Sequence, residues 1–216
     1  MKRSAPTLLL AVLLAACVSS AASSPPEPAD PLERLKDGNA RFVRGEPKHW
    51  GDLPQRRTDI AETQHPFAIV LGCSDSRAAP EQVFDRTVGD LFVVRVAGNV
   101  VDDHALGSIE YGAEHLHVPL LVVLGHERCG AVSATVAGGE APGHIGSLVA
   151  SIRPALDAAK KQEGDLVENT VRANVHEVIA AIRKQSHLLA ELEHEGKLRI
   201  AGARYDLDTG EVTWIE

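Results

Sequence analysis

The sequence has few aromatic residues and lacks the patterns that indicate several common functions. Four Phe, two Tyr and two Trp occur among 216 residues, so a core must be built mainly from aliphatic side chains. The absence of a G-x-G-x-x-G motif and of a Walker loop weakens nucleotide binding as an interpretation. Lys and Arg number 22 against 30 Asp and Glu, and this acidic balance argues against a nucleic-acid surface. We therefore expect a globular protein that does not bind nucleic acid.

Cysteine is also scarce, and the three that occur do not form a pattern typical of disulfides. Cys17 lies in a leader segment, whereas Cys73 and Cys129 each follow an apolar run. An even set of cysteines in an exported protein would favour disulfides. A disulfide between Cys73 and Cys129 is the minor alternative here, and the ordinary interpretation of a lone cysteine is a small buried apolar residue. The polar residues beside these two thiols favour a chemical role instead.

Residues 1–16 are typical of a secretory signal peptide, with a short basic start. The apolar run 8–16 is too short to span a bilayer as a stable helix. Leu14-Ala15-Ala16-Cys17 resembles a bacterial lipobox, in which the cysteine becomes the lipid-modified first residue. Ordinary cleavage after a small residue near position 21 or 22 is the alternative. We expect an exported, periplasmic protein that contacts a membrane only through a lipid anchor at Cys17.

The segment after the leader changes in composition at about residue 30. Residues 17–29 are rich in Ser, Ala and Pro and predict a flexible tether without structure of its own. Residues 30–216 are enough for one domain. The leader contains two basic residues and no acidic ones, so its removal makes the chain more acidic than the formal net charge of −8.

Apolar runs and helical periodicities alternate through residues 30–216. Asp30-Pro31 begins a helix that ends at Gly45, with Asp as the N-cap and Pro in the first position. Residues 48–66 are interpreted as a polar connection, and residues 165–196 as one long helix. Five segments predict strands: 67–72, 91–96, 118–125, 197–206 and 212–215. The alternation predicts an α/β fold with a mainly parallel four-stranded sheet, an antiparallel edge strand, flanking helices and an N-terminal helical arm.

Metal-binding side chains follow two of these predicted strands. Cys73 comes directly after the first strand, and His126 and Cys129 follow the third. Ligands of open α/β sheets bind beyond the carboxyl ends of the strands, where these residues are expected to lie. Two thiolates and one imidazole form a zinc ligand set with tetrahedral geometry and one position left over. The chain after Cys129 can begin a helix, whose dipole would stabilise the thiolate.

Asp75 and Arg77 lie in the first of these two loops. A zinc ion lowers the pKa of a bound water to about 7 in favourable cases, and a nearby carboxylate such as Asp75 can hold the resulting hydroxide. The same carboxylate can instead bind the ion as a fourth ligand. Arg77 can hold Asp75 through bidentate hydrogen bonds. An ordinary loop ion pair is the alternative, but the adjacent ligands favour catalytic roles for both residues.

The motifs Cys73-x-Asp75-x-Arg77 and His126-x-x-Cys129-Gly130 together resemble those of the β-class carbonic anhydrases. The resemblance extends from about Leu32 to Glu216. It implies a lyase with one zinc per subunit that hydrates carbon dioxide reversibly to bicarbonate and a proton, by attack of zinc-bound hydroxide. It also implies a homodimer or tetramer in which two subunits share each active site.

By the same resemblance, Gln64, Phe92 and Tyr111 match substrate-pocket positions of plant-type members. The Gln64 amide would contact carbon dioxide or bicarbonate, and the two aromatic rings would form an apolar wall. Gly130 would leave its backbone N–H accessible to substrate. Taken alone, Phe92 is equally well a core residue of a strand and Tyr111 a residue on a helix face.

Some β-class members close their site by letting the equivalent of Asp75 bind the zinc. Those members carry a Trp three residues before the first ligand cysteine, where this chain has Val70. We therefore predict that Arg77 keeps Asp75 away from the metal at neutral pH. Two other functions stay open: hydrolysis of carbon disulfide or carbonyl sulfide on the same scaffold, and a non-catalytic, zinc-stabilised interaction domain with Asp75 as the fourth ligand.

Overall fold

A computed structural model describes residues 27–48 and 51–215 of the chain. The described residues form a five-stranded sheet with the strand order β2-β1-β3-β4-β5. The strands are β1 (Ala68–Gly72), β2 (Leu91–Arg95), β3 (Leu120–His126), β4 (Arg199–Tyr205) and β5 (Val212–Ile215). The first four are parallel, and β5 pairs antiparallel with β4 at the edge of the sheet. The predicted fold class is confirmed.

Helices cover both faces of this sheet. Their bounds are α1 (Pro31–Arg44), α2 (Leu53–Asp59), α3 (Pro80–Val83), α4 (Asp103–Glu110), α5 (Gly130–Ala137), α6 (Ile145–Ala159), α7 (Leu166–Gln185) and α8 (His187–His194). A 3₁₀ turn, Ala97–Asn99, follows β2, and a π-helical turn, Tyr111–His115, continues α4. Among these described helices, we find none with the length and apolar character needed to cross a membrane.

The two central strands are buried on both faces, which explains their unbroken apolar sequences. Side chains alternate across a strand, so β1 contributes to two separate cores. Ile69 and Leu71 pack in the core that includes residues of α4, α7 and α8. Val70 packs in the opposite core with Leu35 of α1 and Phe84. Helices on both faces thus hold the carboxyl ends of β1 and β3 in place.

The N-terminal helical arm begins and ends as predicted. The Asp30 carboxylate accepts hydrogen bonds from the backbone N–H groups of Leu32 (2.7 Å) and Glu33 (3.1 Å). Gly45 follows the last helical residue with φ 67°, a left-handed conformation that favours glycine. Leu35 lies on the buried face of this helix and is fully inaccessible to solvent.

The folded part of the chain begins earlier than predicted, within the segment interpreted as a tether. The Glu27 carboxylate accepts hydrogen bonds from Arg86 (2.7 Å), Arg34 (2.8 Å) and Lys48 (3.2 Å). Glu27 therefore contacts the folded domain, because Arg34 of α1 and the more distant Lys48 and Arg86 all bind its carboxylate. The predicted leader and Cys17 lie outside the described residues.

This cluster gives Glu27 a pH-dependent contribution to stability. Burial raises its pKa, but the Arg86 hydrogen bond and charge outweigh burial, and the pKa falls from 4.5 to about 2. Because the pKa is lower in the folded protein, the contribution is complete above pH 4.5 and is lost as the pH falls towards 2. Glu27→Gln should lower the free energy of unfolding by about 1 kcal/mol at pH 7, allowing for solvent screening.

Urea unfolding of both proteins between pH 7 and pH 3 measures this effect. The difference between wild type and Glu27→Gln should shrink across that range. Glu33→Gln, which removes an exposed partner of Lys36, serves as the control and should change little. A Glu27→Gln penalty that stays constant with pH would show that the carboxylate charge contributes nothing.

Two predicted segments differ from the structure. Residues 48–66 contain the helix α2, begun by the N-cap Asp52, so they are not simply an irregular connection. This helix has no buried residue, and the sequence therefore lacks the apolar stripe that reveals a helix. Its Arg56 side chain binds the Asp90 carboxylate (3.0 Å) and the Val88 carbonyl (3.1 Å), which holds α2 against the domain.

The long helix predicted over residues 165–196 is divided into α7 and α8 at Ser186. Ser186 has φ −108° and ψ 101°, which are not helical values. Its hydroxyl donates to the Glu110 carboxylate (2.6 Å) and accepts from the Leu189 N–H (3.1 Å), so it caps α8. The helical periodicity continues through this break, which is why the sequence pattern missed it.

Candidate active site

The three predicted ligands meet at the carboxyl ends of two adjacent parallel strands. Cys73 directly follows β1, His126 is the last residue of β3, and Cys129 is the residue before α5. All three are buried, with exposed fractions of 5%, 1% and 2%. One donor atom from each lies within 4.8 Å of the other two. This arrangement of two sulfurs and one nitrogen matches a catalytic zinc site with three protein ligands.

The two thiols are close but not bonded to each other. Their sulfurs are 4.0 Å apart, and both cysteines are free in the part of the chain that the structure describes. Hydrogen bonding with Cys129 is the main reason that the pKa of Cys73 falls to about 4, although burial opposes it. The same contact, together with burial, raises the pKa of Cys129. One sulfur is thus readily ionised, and a divalent cation would stabilise the second thiolate.

The imidazole of His126 is oriented for metal binding. Its Nδ1 lies 2.8 Å from the backbone carbonyl of Glu127, which can only accept, so Nδ1 carries the proton. Nε2 is buried and has no hydrogen-bond partner among the described residues. Burial lowers the pKa of His126, but the Cys73 sulfur raises it above the usual value. A zinc ion fits this group because it would satisfy the orphaned nitrogen and both sulfurs.

Asp75 and Arg77 form the bidentate pair expected from the sequence. Arg77 Nε donates to Asp75 Oδ1 (2.9 Å), and its terminal nitrogen donates to Oδ2 (2.8 Å). These bonds hold the pKa of Asp75 well below its usual range although burial opposes them. Asp75 Oδ2 lies 3.9 Å from His126 Nε2, so the carboxylate stands beside the three ligands without joining their cluster.

Two residues that support the ligand loop were missed from the sequence. Arg95, the last residue of β2, donates to the carbonyls of Cys73 (2.8 Å) and Asp75 (2.6 Å). The backbone N–H of Gly98 donates to Cys73 Sγ (3.2 Å). Arg95 ends the strand 91–95 beside Gly72, and Gly98 follows this strand, so both lie at the same sheet edge as the ligands. The sequence predicted this strand, and the position of both residues at its carboxyl end is the signal that could have identified them.

Gly130 lies at the start of α5, directly after the last ligand. A Cβ atom at this position would meet no other atom within 4 Å, so the space beside its backbone is open. The N–H groups of the next two residues, Ala131 and Val132, lower the pKa of Cys129 but do not outweigh the effects that raise it. The predicted helix start behind this sulfur is therefore confirmed.

The three predicted pocket residues lie together but away from the ligands. Gln64 and Tyr111 line one surface cavity of about 530 Å³. The rings of Tyr111 and Phe92 have centroids 6.2 Å apart. Phe92 pairs with Ile69 near the amino end of β1, whereas Cys73 follows its carboxyl end. Four residue steps along the strand, from Ile69 to Cys73, separate these levels by about 13 Å, so one chain does not bring the two groups together.

Comparison with known proteins identifies the family of this chain. A family model described as carbonic anhydrase matches residues 68–212, which contain all three ligands. Carbonic anhydrase 2 of Mycobacterium tuberculosis is 41% identical over 187 residues, which cover 85% of this chain and 90% of that protein. The chain belongs to the β-carbonic anhydrase family. The carbonic anhydrase of Mycolicibacterium smegmatis is 42% identical over 86% of this chain and 92% of its own length.

Solved structures of β-carbonic anhydrases have the same fold. Coccomyxa β-carbonic anhydrase in complex with acetazolamide superposes with a TM-score of 0.69 at 26% identity, covering 87% of both chains. The β-carbonic anhydrase CcaA gives a TM-score of 0.69 at 25% identity, covering 87% of this chain and 96% of its own. The chain is therefore an enzyme of the carbonic anhydrase class, a lyase, and zinc is its cofactor.

Proposed function

We propose that this β-carbonic anhydrase catalyses the zinc-dependent, reversible hydration of carbon dioxide to bicarbonate and a proton. The observation that carries the proposal is the set Cys73, His126 and Cys129, with Asp75 held beside it by Arg77. Zinc, when bound, would activate a water as the nucleophile by lowering its pKa to about 7 in favourable cases. Three protein ligands leave one position of a tetrahedral ion for that water.

The residues around the ligands keep the fourth position on the zinc ion available to water and orient the groups beside it. Asp75 stays ionised because Arg77 holds its pKa low, so it can accept a hydrogen bond from the water or from the hydroxide formed from it. Arg95 binds the Cys73 and Asp75 carbonyls and fixes the loop that carries both side chains. The space beside Gly130, directly after Cys129, is free of other atoms and could accommodate a small substrate near its backbone N–H.

A stopped-flow assay tests the proposed reaction directly. The zinc-loaded protein should hydrate carbon dioxide, and removal of zinc by a chelator should abolish the rate until zinc is restored. Parallel assays with carbon disulfide and carbonyl sulfide identify the alternative substrates. If either sulfur compound is turned over faster than carbon dioxide, hydrolysis of that compound is the reaction and the proposal is wrong. If none of the three substrates is turned over, the protein is a non-catalytic interaction domain.

Each active site is proposed to use residues from two subunits of a homodimer or tetramer. The support is the separation, within one chain, of Gln64, Phe92 and Tyr111 from the ligands. Tyr111 is 46% exposed although it packs against Phe92, which leaves its ring available to a second copy. Among the structural relatives, two Sordaria macrospora β-carbonic anhydrases are tetrameric; at 24% identity they show only the common fold.

Mixing two inactive variants tests the shared site. In a hybrid dimer of one Cys73→Ala chain and one Gln64→Ala chain, each site would combine the ligands of one chain with Gln64 of the other. One site then lacks both Cys73 and Gln64, and the other site is complete. Random pairing should restore about a quarter of wild-type activity, because half of the dimers are hybrids with one intact site. A mixture of Cys73→Ala and Cys129→Ala chains, whose hybrids contain no intact site, is the control. Absence of restoration in the first mixture would place each site within one chain.

Export and lipid anchoring are also proposed, on the sequence of residues 1–17 alone. One acyl chain binds membranes only marginally, whereas several anchor a protein stably. Cys17→Ser should therefore move the protein from the membrane fraction to the soluble periplasmic fraction. Mass spectrometry of the mature N-terminus checks the result, and an unmodified start near Ser23 would contradict the anchor.

A further inference from the structure

The Gly98 backbone amide donates to Cys73 Sγ at 3.2 Å, and its position depends on an unusual loop. Gly98 has φ 70° and Asn99 has φ 45°, so two consecutive residues are left-handed. A Cβ on Gly98 would lie 2.8 Å from Ile152 Cδ1, so a larger residue would require Ile152 to move. Such a loop persists only where its surroundings hold it. Its orientation determines whether the amide reaches the sulfur.

Asn174 on α7 holds this loop from the other side. Its Nδ2 donates to the Gly98 carbonyl at 2.8 Å, across 76 residues of sequence. Asn174 is only 1% exposed, and its Oδ1 has no hydrogen-bond partner among the residues that the structure describes. A buried amide with an unsatisfied oxygen is unfavourable for folding. The presence of Asn174 at this buried position therefore indicates that its hydrogen bond to the Gly98 carbonyl has a structural role.

The helix α7 packs directly behind the metal ligands. Val171, one turn before Asn174, lies in a buried cluster with Cys73, Cys129 and Ile152. Gly98 thus lies between the helix and the sulfur: its N–H reaches Cys73, and its carbonyl receives the Asn174 amide. A displacement at Asn174 would be transmitted to the sulfur through one residue.

We propose that Asn174 is a positioning residue for the zinc centre, because it holds Gly98 so that the Gly98 amide donates to the Cys73 thiolate. This hydrogen bond withdraws electron density from the sulfur and orients it as a ligand. The proposal rests on the zinc ligand set of the proposed function. Loss of the bond should make the thiolate a stronger electron donor and a less well oriented ligand.

Asn174→Leu removes the donor at similar volume, and Asn174→Ala removes it without crowding. Each variant is prepared with cobalt in place of zinc, and the cobalt–thiolate charge-transfer band is recorded. The band should shift to lower energy in both, because a sulfur without the hydrogen bond releases charge more readily. Zinc-loaded forms should release zinc to a chelator about 10-fold faster than wild type, a typical effect of losing an outer partner of a ligand.

Thr170→Val is the matched control. Thr170 is fully buried on the same helix, but its hydroxyl bonds only within that helix, to the Leu166 carbonyl (2.6 Å). The energy of the cobalt–thiolate band and the rate of zinc release of Thr170→Val should stay at wild-type values. Unchanged values in both Asn174 variants, an equal change in Thr170→Val, or failure of both Asn174 variants to fold would each assign Asn174 to packing alone. These measurements do not use carbon dioxide, so they are independent of the proposed reaction.

Discussion

Replacing Cys129 by alanine is expected to abolish zinc binding and carbon dioxide hydration together. Cys129 supplies one of three buried ligands, and its loss leaves Cys73 and His126 with two open positions on the ion. Enzymes commonly accelerate reactions by at least about 10⁶-fold, and the loss of zinc should remove at least about 1000-fold of that acceleration. The same result is expected for alanine at Cys73 or His126.

Metal analysis and stopped-flow hydration on the same samples measure both effects. Val132→Ala is the control, because Val132 is equally buried on α5 (1% exposed) but offers no ligand atom. This variant should lose some stability through a cavity and keep its zinc. A Cys129→Ala protein with stoichiometric zinc and the full rate would refute the ligand set.

Arg77→Ala is expected to release Asp75 towards the metal and lower activity. In the wild type, two side-chain hydrogen bonds from Arg77 neutralise the Asp75 carboxylate beside the ligand cluster. Without them, a carboxylate 3.9 Å from His126 Nε2 can turn to become a third anionic ligand beside two thiolates. The position that water needs is then filled. We expect kcat/KM to fall by about 10–100-fold, as for other outer partners of metal sites.

Zinc content and a crystal structure near pH 7 separate this effect from simple loss of metal. Arg77→Ala should keep its zinc, with Asp75 oxygen at about 2.0–2.2 Å from the ion, the usual carboxylate distance. Arg77 is 55% exposed, so folding should change little; Arg128→Ala, equally exposed (52%) and paired with Asp208, is the matched control. A wild-type structure with Asp75 on zinc would contradict the prediction drawn from Val70.

The surroundings of Val70 explain why this chain has a small residue at the position where some β-class members carry Trp. Val70 is fully buried in the core with Leu35 and Phe84. A much larger Trp at this position would overpack that core. Arg77 holds Asp75 through two side-chain hydrogen bonds, while the open site and the catalytic roles of the two residues stay predictions.

The ligands could be found from the sequence because each stands beside a strand with a strong local signal. Unbroken apolar runs before Cys73 and before His126 predicted strands buried on both faces, and parallel strands place their carboxyl ends together. The residues that support the ligands also lie at the end of a predicted strand, but no local pattern links them to Cys73. Arg95 reaches the Cys73 carbonyl across 22 residues, and Gly98 reaches Cys73 Sγ across 25.

The fold class, the proximity of Cys73, His126 and Cys129, and the Asp75–Arg77 pair were predictable from the sequence, since periodicity, ligand chemistry and short spacing are local properties. The distant residues that hold these groups could be identified only from the packing of the folded chain. The predicted long helix is interrupted at Ser186, because the Ser186 hydroxyl binds Glu110 from a distant part of the chain. The tertiary structure also sets Phe92 at the opposite end of the strands from Cys73. Such contacts depend on strand order and helix packing, which bring together segments that no local pattern connects.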